Sequence, residues 1–354
     1  LKIVELNPFY FPYSGGIERR IAAITRRLSP RHEFTVITSQ LPGTPASDQL
    51  YGARVIRLPS RFIGSYNPPF VRSEGVLNAI REESPDIVDY HYRWSHSYNS
   101  AFFSYRGVKI VTFHNQVGEG TGLLGIMSYL NDMHYIRRMK HLPLSVTISE
   151  FVRRQLISRG LEKERVIRCY NGIEKHGCPR KDAGYALFVG RMVATKGIDI
   201  LCSAAIRAGV PLKVAGTGPL FPSLKRRFGG KDIEFLGHVN EEEKDRLLAE
   251  CSFFVMPSLQ ESFGIAVLEA MSHGKAIVAS AAGGLPEVVG DCGLLFPPRR
   301  IYALESSMRQ MWIDADKRHQ LGVRAENRAA LFTWDRTASE MEAVYSRALS
   351  DARM

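Results

Sequence analysis

Along the chain, short apolar runs alternate with segments whose apolar residues recur every three or four positions. KIVEL (2–6) is followed by IERRIAAITRRL (17–28), a helical pattern, and FTVITS (34–39) returns to a strand. ARVIRL, PDIVDY, KIVTF and LSVTIS predict further strands, and VRSEGVLNAIREES predicts a helix between two of them. Several strands are apolar at almost every residue, as strands buried on both faces are. The alternation therefore predicts a parallel sheet covered by helices.

The same rhythm resumes after residue 184 in YALFVG, KGIDILCSAAIRAG, PLKVAG, GPLFPSLKRRF, IEFLG, EEEKDRLLAE, SFFVMP, GIAVLEAMSHG, KAIVAS and CGLLF. Between the two series, NGIEKHGCPRKDAG (171–184) is polar and breaks both periods. It predicts a joint between one domain over residues 1–176 and another over 177–335. Two such domains predict a cleft where the carboxyl ends of both sheets meet. SEFVRRQLISRG (149–160) carries capping residues at both ends of a helix. GLLGIMSYLNDMHYIRRMKHL (122–142) is also helical in pattern and mixes apolar residues with Arg137, Arg138 and Lys140. Such a helix either packs on its own domain or lies on a membrane surface.

A chain of 354 residues, 45% hydrophobic and 23% charged, has the composition of a soluble globular protein. No apolar run reaches the ~18 to 20 residues that span a bilayer, and LKIVELNPFYF lacks the shape of a signal peptide. Cys169, Cys178, Cys202, Cys251 and Cys292 have no short paired spacing; they predict buried or incidental thiols in a reducing compartment. In HYRWSH (91–96), His91 and His96 lack the further ligands of a zinc site, so no metal is expected. The net charge of +11 is uneven: residues 1–181 hold 26 Lys and Arg against 15 Asp and Glu, and the remainder holds 21 of each. This excess either attracts an anionic ligand or an anionic membrane surface, or simply keeps the first domain soluble. No zinc-finger or RNA-recognition motif accompanies it, so no nucleic-acid partner is expected.

The candidate chemistry lies at the ends of predicted strands. ESFGIAVLEAM (261–271) follows FFVMPS and opens a helix near Phe263 or Gly264, with Glu261 before its first turn. Gly264 permits close backbone approach, and the first-turn amides can face an anion. Glu269, in an apolar helix, needs a partner: either the hydroxyls of a ribose or a neighbouring cation. In FVGRMVATKG (188–197), Arg191 and Lys196 place two cations above the end of a strand, where they can neutralise a diphosphate or merely be surface charge. AGTGP (215–219) adds Gly216 and Gly218, without a full dinucleotide fingerprint or the lysine of a P-loop. SGGIE (14–18) brings Gly15 and Gly16 to the start of the first helix, where they let an acceptor or donor phosphate approach the backbone, or where Glu18 only neutralises the helix end. His114 ends the strand of TFHN and can donate to a sugar hydroxyl or phosphate, or make a structural hydrogen bond.

Taken in chain order, GGIE (15–18), FH (113–114), YNGIE (170–174), GRMVATKG (190–197), AGTGP (215–219), FLGHV (235–239) and ESFGIAVLEAM resemble glycosyltransferase family 4 from residue 1 to about 335. That resemblance implies the GT-B arrangement: two facing Rossmann-like α/β domains with a central cleft. It also implies that the last helix, near 336–354, crosses back to the first domain. A retaining hexosyltransferase follows, taking a UDP- or GDP-linked sugar as donor, with no cofactor and no metal. By the same resemblance Arg191 and Lys196 are the donor-diphosphate pair, and Glu261 lies near the transferred sugar. Glu269 binds the ribose, and the backbone from Phe263 through Gly264 and Ile265 to Ala266 contacts sugar and phosphate. Gly216 and Val239 line the nucleoside, His114 lies beside the donor sugar, and Gly15 and Gly16 lie under the reacting end.

Leu259 and Gln260, just before Glu261, name no donor sugar, and His91 and His96 match no family position. The expected acceptor is a hydroxyl of a glycan, a polyprenyl-phosphate-linked glycan, a phospholipid or a phosphorylated sugar. The chain is expected in the cytoplasm, with peripheral contact between its first domain and an anionic membrane. The competing readings are a nucleotide-sugar or nucleic-acid binding protein without catalysis, and an epimerase or phosphorylase of the same architecture.

Overall fold

The computed structural model describes residues 1–64, 69–174, 181–230 and 232–352. It divides into two compact units: Leu1–Gly118 with Met127–Gly172 and Trp334–Met354, and Glu119–Ile126 with Ile173–Thr333. The units break at Gly172 and Thr333, and the joint expected at 176 and 177 lies outside the described residues. Nothing in the sequence marks Glu119–Ile126 as part of the second unit. Its attachment is tertiary: the Gln260 side-chain amide holds Gly120, accepting from its N–H at 2.8 Å and donating to its carbonyl at 3.1 Å.

In the first unit the strands are β1 (Lys2–Leu6), β2 (Glu33–Ser39), β3 (Ser47–Leu50), β4 (Ala53–Leu58), β5 (Ser60–Ile63), β6 (Phe70–Ser73), β7 (Ile87–Tyr90), β8 (Lys109–Phe113), β9 (Ser145–Thr147) and β10 (Val166–Arg168). The main sheet runs β10-β9-β8-β7-β1-β2-β4-β3 and is parallel except for β3, which pairs antiparallel with β4. β5 and β6 form a separate antiparallel hairpin. The helices are α1 (Gly16–Leu28), α2 (Val76–Glu83), α3 (His96–Ser104), α4 (Gly122–Met139), which belongs to this unit from Met127 onward, and α5 (Glu150–Ile157). VRSEGVLNAIREES is therefore not one helix. Its VRS belongs to β6, and α2 starts only after Gly75, whose φ of 71° is left-handed.

The second unit has β11 (Ala186–Val189), β12 (Leu212–Ala215), β13 (Ile233–Gly237), β14 (Phe253–Met256), β15 (Ala276–Ser280) and β16 (Gly293–Phe296). All are parallel, in the order β13-β12-β11-β14-β15-β16. The intervening helices are α6 (Ile198–Ala208), α7 (Phe221–Phe228), α8 (Glu241–Glu250), α9 (Ile265–Ser272), α10 (Leu285–Val289), α11 (Ile301–Ile313) and α12 (Ala315–Ala329). α13 (Trp334–Asp351) returns to the first unit, as predicted for the last helix. There Ala338, Met341, Val344 and Tyr345 join the core that Ile21, Ile24 and Leu28 of α1 form over β1 and β2.

Both sheets contain a point at which neighbouring strands send their chains in opposite directions: between β1 and β7, and between β11 and β14. In open α/β sheets the ligand crevice forms at the carboxyl ends beside such a point. Strand alternation fixes which residues border the first. Val4, Leu6, Val88 and Tyr90 enter one core, whereas Ile3 and Ile87 enter the other. Glu5 and Asp89 thus fall on the face covered by α1 and α13.

Candidate active site

In the second unit the chain leaves β11 through Gly190 and the exposed Arg191, then makes a short turn at Ala194–Lys196. Gly197 follows at φ 63°, and a Cβ there would stand 2.7 Å from Pro257 O. Leu259 N donates to Thr195 O at 2.7 Å. The loops after β11 and β14 are therefore locked together. Their closeness brings Lys196 Nζ to 2.5 Å from Glu261 Oε2, which also accepts from Ser258 Oγ at 3.1 Å. Both side chains of this pair are largely shielded from solvent, at 17% and 14% exposure. Partners 65 residues apart in sequence thus form one charged cluster.

Gly264 has φ 100° and begins α9. Phe263 is buried, while Ile265 and Ala266, in the first helical turn, are half-buried. Farther along α9, Glu269 Oε1 accepts from Lys244 Nζ at 2.8 Å, and Lys244 also reaches Glu241 at 2.8 Å. Of the two partners expected for Glu269, the structure displays the neighbouring cation. Gly216 follows β12 at φ 127°, and a Cβ would fall 2.0 Å from Gly190 O. This close approach, rather than a dinucleotide fingerprint, explains the glycine. Val239 is half-buried just past β13, directly before the Asn240 cap of α8.

Sequence reasoning missed the pair Gly283–Gly284 after β15. Gly284 N donates to Glu261 O at 2.9 Å. A Cβ on Gly283 would lie 1.8 Å from Glu261 O, and one on Gly284 would lie 2.4 Å from Ser262 O. The only signal was two adjacent glycines after a buried strand, as in SGGIE. What they hold in place could not be read from the chain.

In the first unit Gly15 caps α1 in an extended conformation, and its N–H donates to Glu18 Oε2 at 2.8 Å. Glu18 also accepts from Asn7 Nδ2 at 3.1 Å. Burial pushes its carboxyl up to about 7, against the opposing pull of these hydrogen bonds. Gly16 is exposed as the first residue of α1.

His114, just past β8, is buried and does not act alone. Its Nε2 lies 2.9 Å from His91 Nδ1, and His91 Nε2 lies 2.5 Å from Glu5 Oε2. Glu5 Oε1 accepts from Tyr345 Oη at 2.9 Å, and Asp89 accepts from Thr112 Oγ1 at 2.9 and 3.0 Å. Burial raises Asp89 to about 6, with Glu5 adding to the rise and His91 opposing it. Burial also lowers His114 well below the ordinary imidazole value, and the charges of His91, Arg20 and Arg93 lower it further. His91 moves the other way: burial lowers it, but Asp89 and Glu5 outweigh that effect and hold it above the ordinary value.

Among the described residues, Glu5, Asp89 and His91 are the one group with three ligand atoms close enough for a metal, within 4.8 Å of one another. Each already has a partner in the group or beside it, the pattern of an internal ion cluster. His96 is exposed at the start of α3 and outside the group. Cys169, Cys202, Cys251 and Cys292 are buried free thiols, and Cys178 lies outside the described residues. No helix among the described residues is long and apolar enough to cross a membrane.

Two family models match the chain: one described as Glycosyltransferase Family 4 over residues 14–176, the other as Glycosyl transferases group 1 over residues 183–314. The sequence is similar to an uncharacterized glycosyltransferase of Methanocaldococcus jannaschii, 26% identical over 98% of this chain and 99% of the relative. It is also similar to the D-rhamnosyltransferase WbpZ of Pseudomonas aeruginosa, 29% identical over 74% of each chain. Among solved structures, sucrose-phosphate synthase of Thermosynechococcus elongatus superposes with a TM-score of 0.82 at 18% identity, covering 99% of both chains. Anabaena HepE in complex with UDP-glucose gives 0.77 at 18% identity, over 98% of this chain and 99% of the other. These structural likenesses establish the fold: two Rossmann-like α/β domains.

Proposed function

We propose, from the premise that this chain belongs to the nucleotide-sugar-dependent glycosyltransferases of GT-B fold, that it is a retaining hexosyltransferase acting without a metal. The donor is a UDP- or GDP-linked sugar held at the carboxyl ends of β11 and β14. One observation carries this reading: Lys196 and Glu261 meet there, beside the first turn of α9.

When the sugar leaves, negative charge grows on the diphosphate, and the residues best placed to stabilise it are cations and amide N–H groups fixed beforehand. Arg191 offers a directed fork and Lys196 a point charge, with the amides of the α9 first turn beside them. Lys196 is shared with Glu261, so an arriving diphosphate competes for its ammonium. Glu261 then serves to hold that lysine in place and to shape the sugar end, with attack on the same face assisted by the departing phosphate. Glu269 accepts from the ribose while keeping Lys244. The backbone from Phe263 to Ala266 follows sugar and phosphate, Gly216 and Val239 border the nucleoside, and His114, Gly15 and Gly16 belong to the reacting end.

For the acceptor, the reading is a lipid-linked or phospholipid hydroxyl at the cytoplasmic face of an anionic membrane. Support comes from α4, which buries Ser128, Asp132, Tyr135, Ile136 and Met139 but exposes Leu123, Leu124, Ile126, Met127 and Leu130. Arg137 and Lys140 are exposed farther along. An apolar end followed by cations suits an anionic bilayer. Thermal protection by a panel of UDP- and GDP-sugars, followed by turnover with lipid-linked and soluble phosphorylated acceptors, tests both halves. Protection by no nucleotide sugar rejects the donor, and turnover confined to soluble acceptors rejects the membrane.

A further inference from the structure

Glu5 and Asp89 are paired in register on adjacent parallel strands, and both side chains point to the face buried under α1 and α13. Both are fully buried. Two carboxylates so placed repel each other and lose hydration, so the arrangement requires compensating cations and donors close by. From α1 the buried guanidinium of Arg20 acts on the cluster, from α13 comes Tyr345 Oη, and from β8 comes Thr112 Oγ1. The remaining cation is His91 itself, one residue past β7, with Nε2 against Glu5 and 3.8 Å from Asp89.

That placement decides where the protons lie. A carboxylate oxygen only accepts, so Nε2 of His91 carries a proton. His91 Nδ1 and His114 Nε2, 2.9 Å apart, can share only one. Arg20 acts on both rings, but Arg93 acts on His114, which has no carboxylate beside it in this cluster, whereas His91 stands 2.5 Å from Glu5 and 3.8 Å from Asp89. The proton between the rings therefore stays on His91. We propose that His91 is a positioning residue which, braced by Glu5, donates from Nδ1 to His114 Nε2 and so confines the single ring proton of His114 to Nδ1. His114 is then a neutral hydrogen-bond donor with a fixed orientation, suited to a sugar hydroxyl or a phosphate oxygen and unable to act as a base through Nε2. The assignment of a ligand to His114 rests on the proposed glycosyl transfer; the proton arrangement does not.

The test uses the full chain labelled with ¹⁵N-histidine. Two-bond ¹H–¹⁵N spectra are recorded between about pH 6 and pH 8, and the two rings are assigned from H91Q and H114Q. The expected wild-type spectrum shows His91 protonated on both nitrogens and His114 protonated on Nδ1 alone throughout. E5Q should lower the proton affinity of His91 by about tenfold or more, since a buried opposite charge is removed. A His114 found with its proton on Nε2, or charged at neutral pH, overturns the proposal, and the wild-type spectrum alone suffices if E5Q does not fold.

The positioning role is read in turnover, with UDP-glucose and GDP-mannose as probes. H91Q, whose amide can still donate, should stay within about tenfold of wild-type kcat/KM, while H91L should fall about 100-fold and acquire an acid limb in its pH profile. Equal activity and equal pH profiles for H91Q and H91L reject the role. Absence of turnover in the wild type counts against glycosyl transfer from these donors and leaves the spectra to decide the proton arrangement.

Discussion

Replacing Gly283 by alanine should damage the donor site through the backbone of Glu261, without touching any charged group. The new Cβ would lie 1.8 Å from Glu261 O and 2.9 Å from its carbonyl carbon. Non-bonded carbon contacts settle near 3.5 Å, so the Glu261 peptide or the glycine loop must shift by roughly 1.5 Å. In addition Gly283 has φ 57°, a left-handed conformation that costs an alanine about 1–2 kcal/mol. Overpacking adds about 1–3 kcal/mol. For a unit of this size each kcal/mol lowers Tm by roughly 2–4 °C, giving a fall on the order of 10 °C.

Activity should suffer more than stability, because a displacement of about 1 Å in a reacting group costs about 100-fold. Gly209→Ala is the control. Gly209 has φ 67°, and a Cβ there meets nothing within 4 Å, so it incurs the left-handed cost alone. The assay compares Tm and kcat/KM of both variants, using whichever nucleotide sugar protects the wild type most. If both alanine variants keep the same kcat/KM, the coupling of Gly283 to Glu261 has no role in transfer.

Arg191→Ala and Lys196→Ala should each lower donor turnover by about 100-fold or more, the size expected for losing one fixed stabiliser of developing charge; steady-state kinetics that match the wild type would remove that residue from the diphosphate site. Glu18 titrates higher in the folded protein than in the unfolded chain, so its stabilising contribution is complete below about 4.5 and is lost as the pH rises through about 7. Urea midpoints measured across this window should show wild type losing stability relative to Glu18→Gln; a constant difference would show that Glu18 has no raised affinity for its proton. Leu124→Asp with Leu130→Asp should abolish flotation with vesicles containing about 30% phosphatidylglycerol, a charge-bearing surface of the kind that attracts such helices, and leave nucleotide-sugar protection unchanged. Undiminished flotation of the double variant would exclude α4 as the contact.

Much of the fold was legible because burial leaves a periodic signature. The apolar runs that became β1, β2, β7, β8, β11, β14 and β15 stand out, as do the glycines that start or end helices. The hairpin β5–β6 and the edge strand β3 were not legible: SDQL and SRFI are polar on alternate or most positions and carry little strand signal. Of the site, the strand ends were readable, since Gly190, Gly216 and Gly264 each precede or follow a clear element. Their partners were not. Lys196 meets Glu261 and Lys244 meets Glu269 only after the sheet has ordered its strands. Glu5 and Asp89 carried a signal that was overlooked: acidic residues inside the apolar strands KIVEL and IVDY have to be neutralised by something. His91, which matches no family position, is one of the groups that neutralise them.

The most direct test is a crystal structure of the full chain with the nucleotide sugar that gives the largest thermal protection. Its diphosphate should contact Arg191, Lys196 and the first-turn amides of α9, with the sugar extending past Glu261. A well-defined nucleotide sugar bound away from the carboxyl ends of β11 and β14 would contradict the proposed donor site.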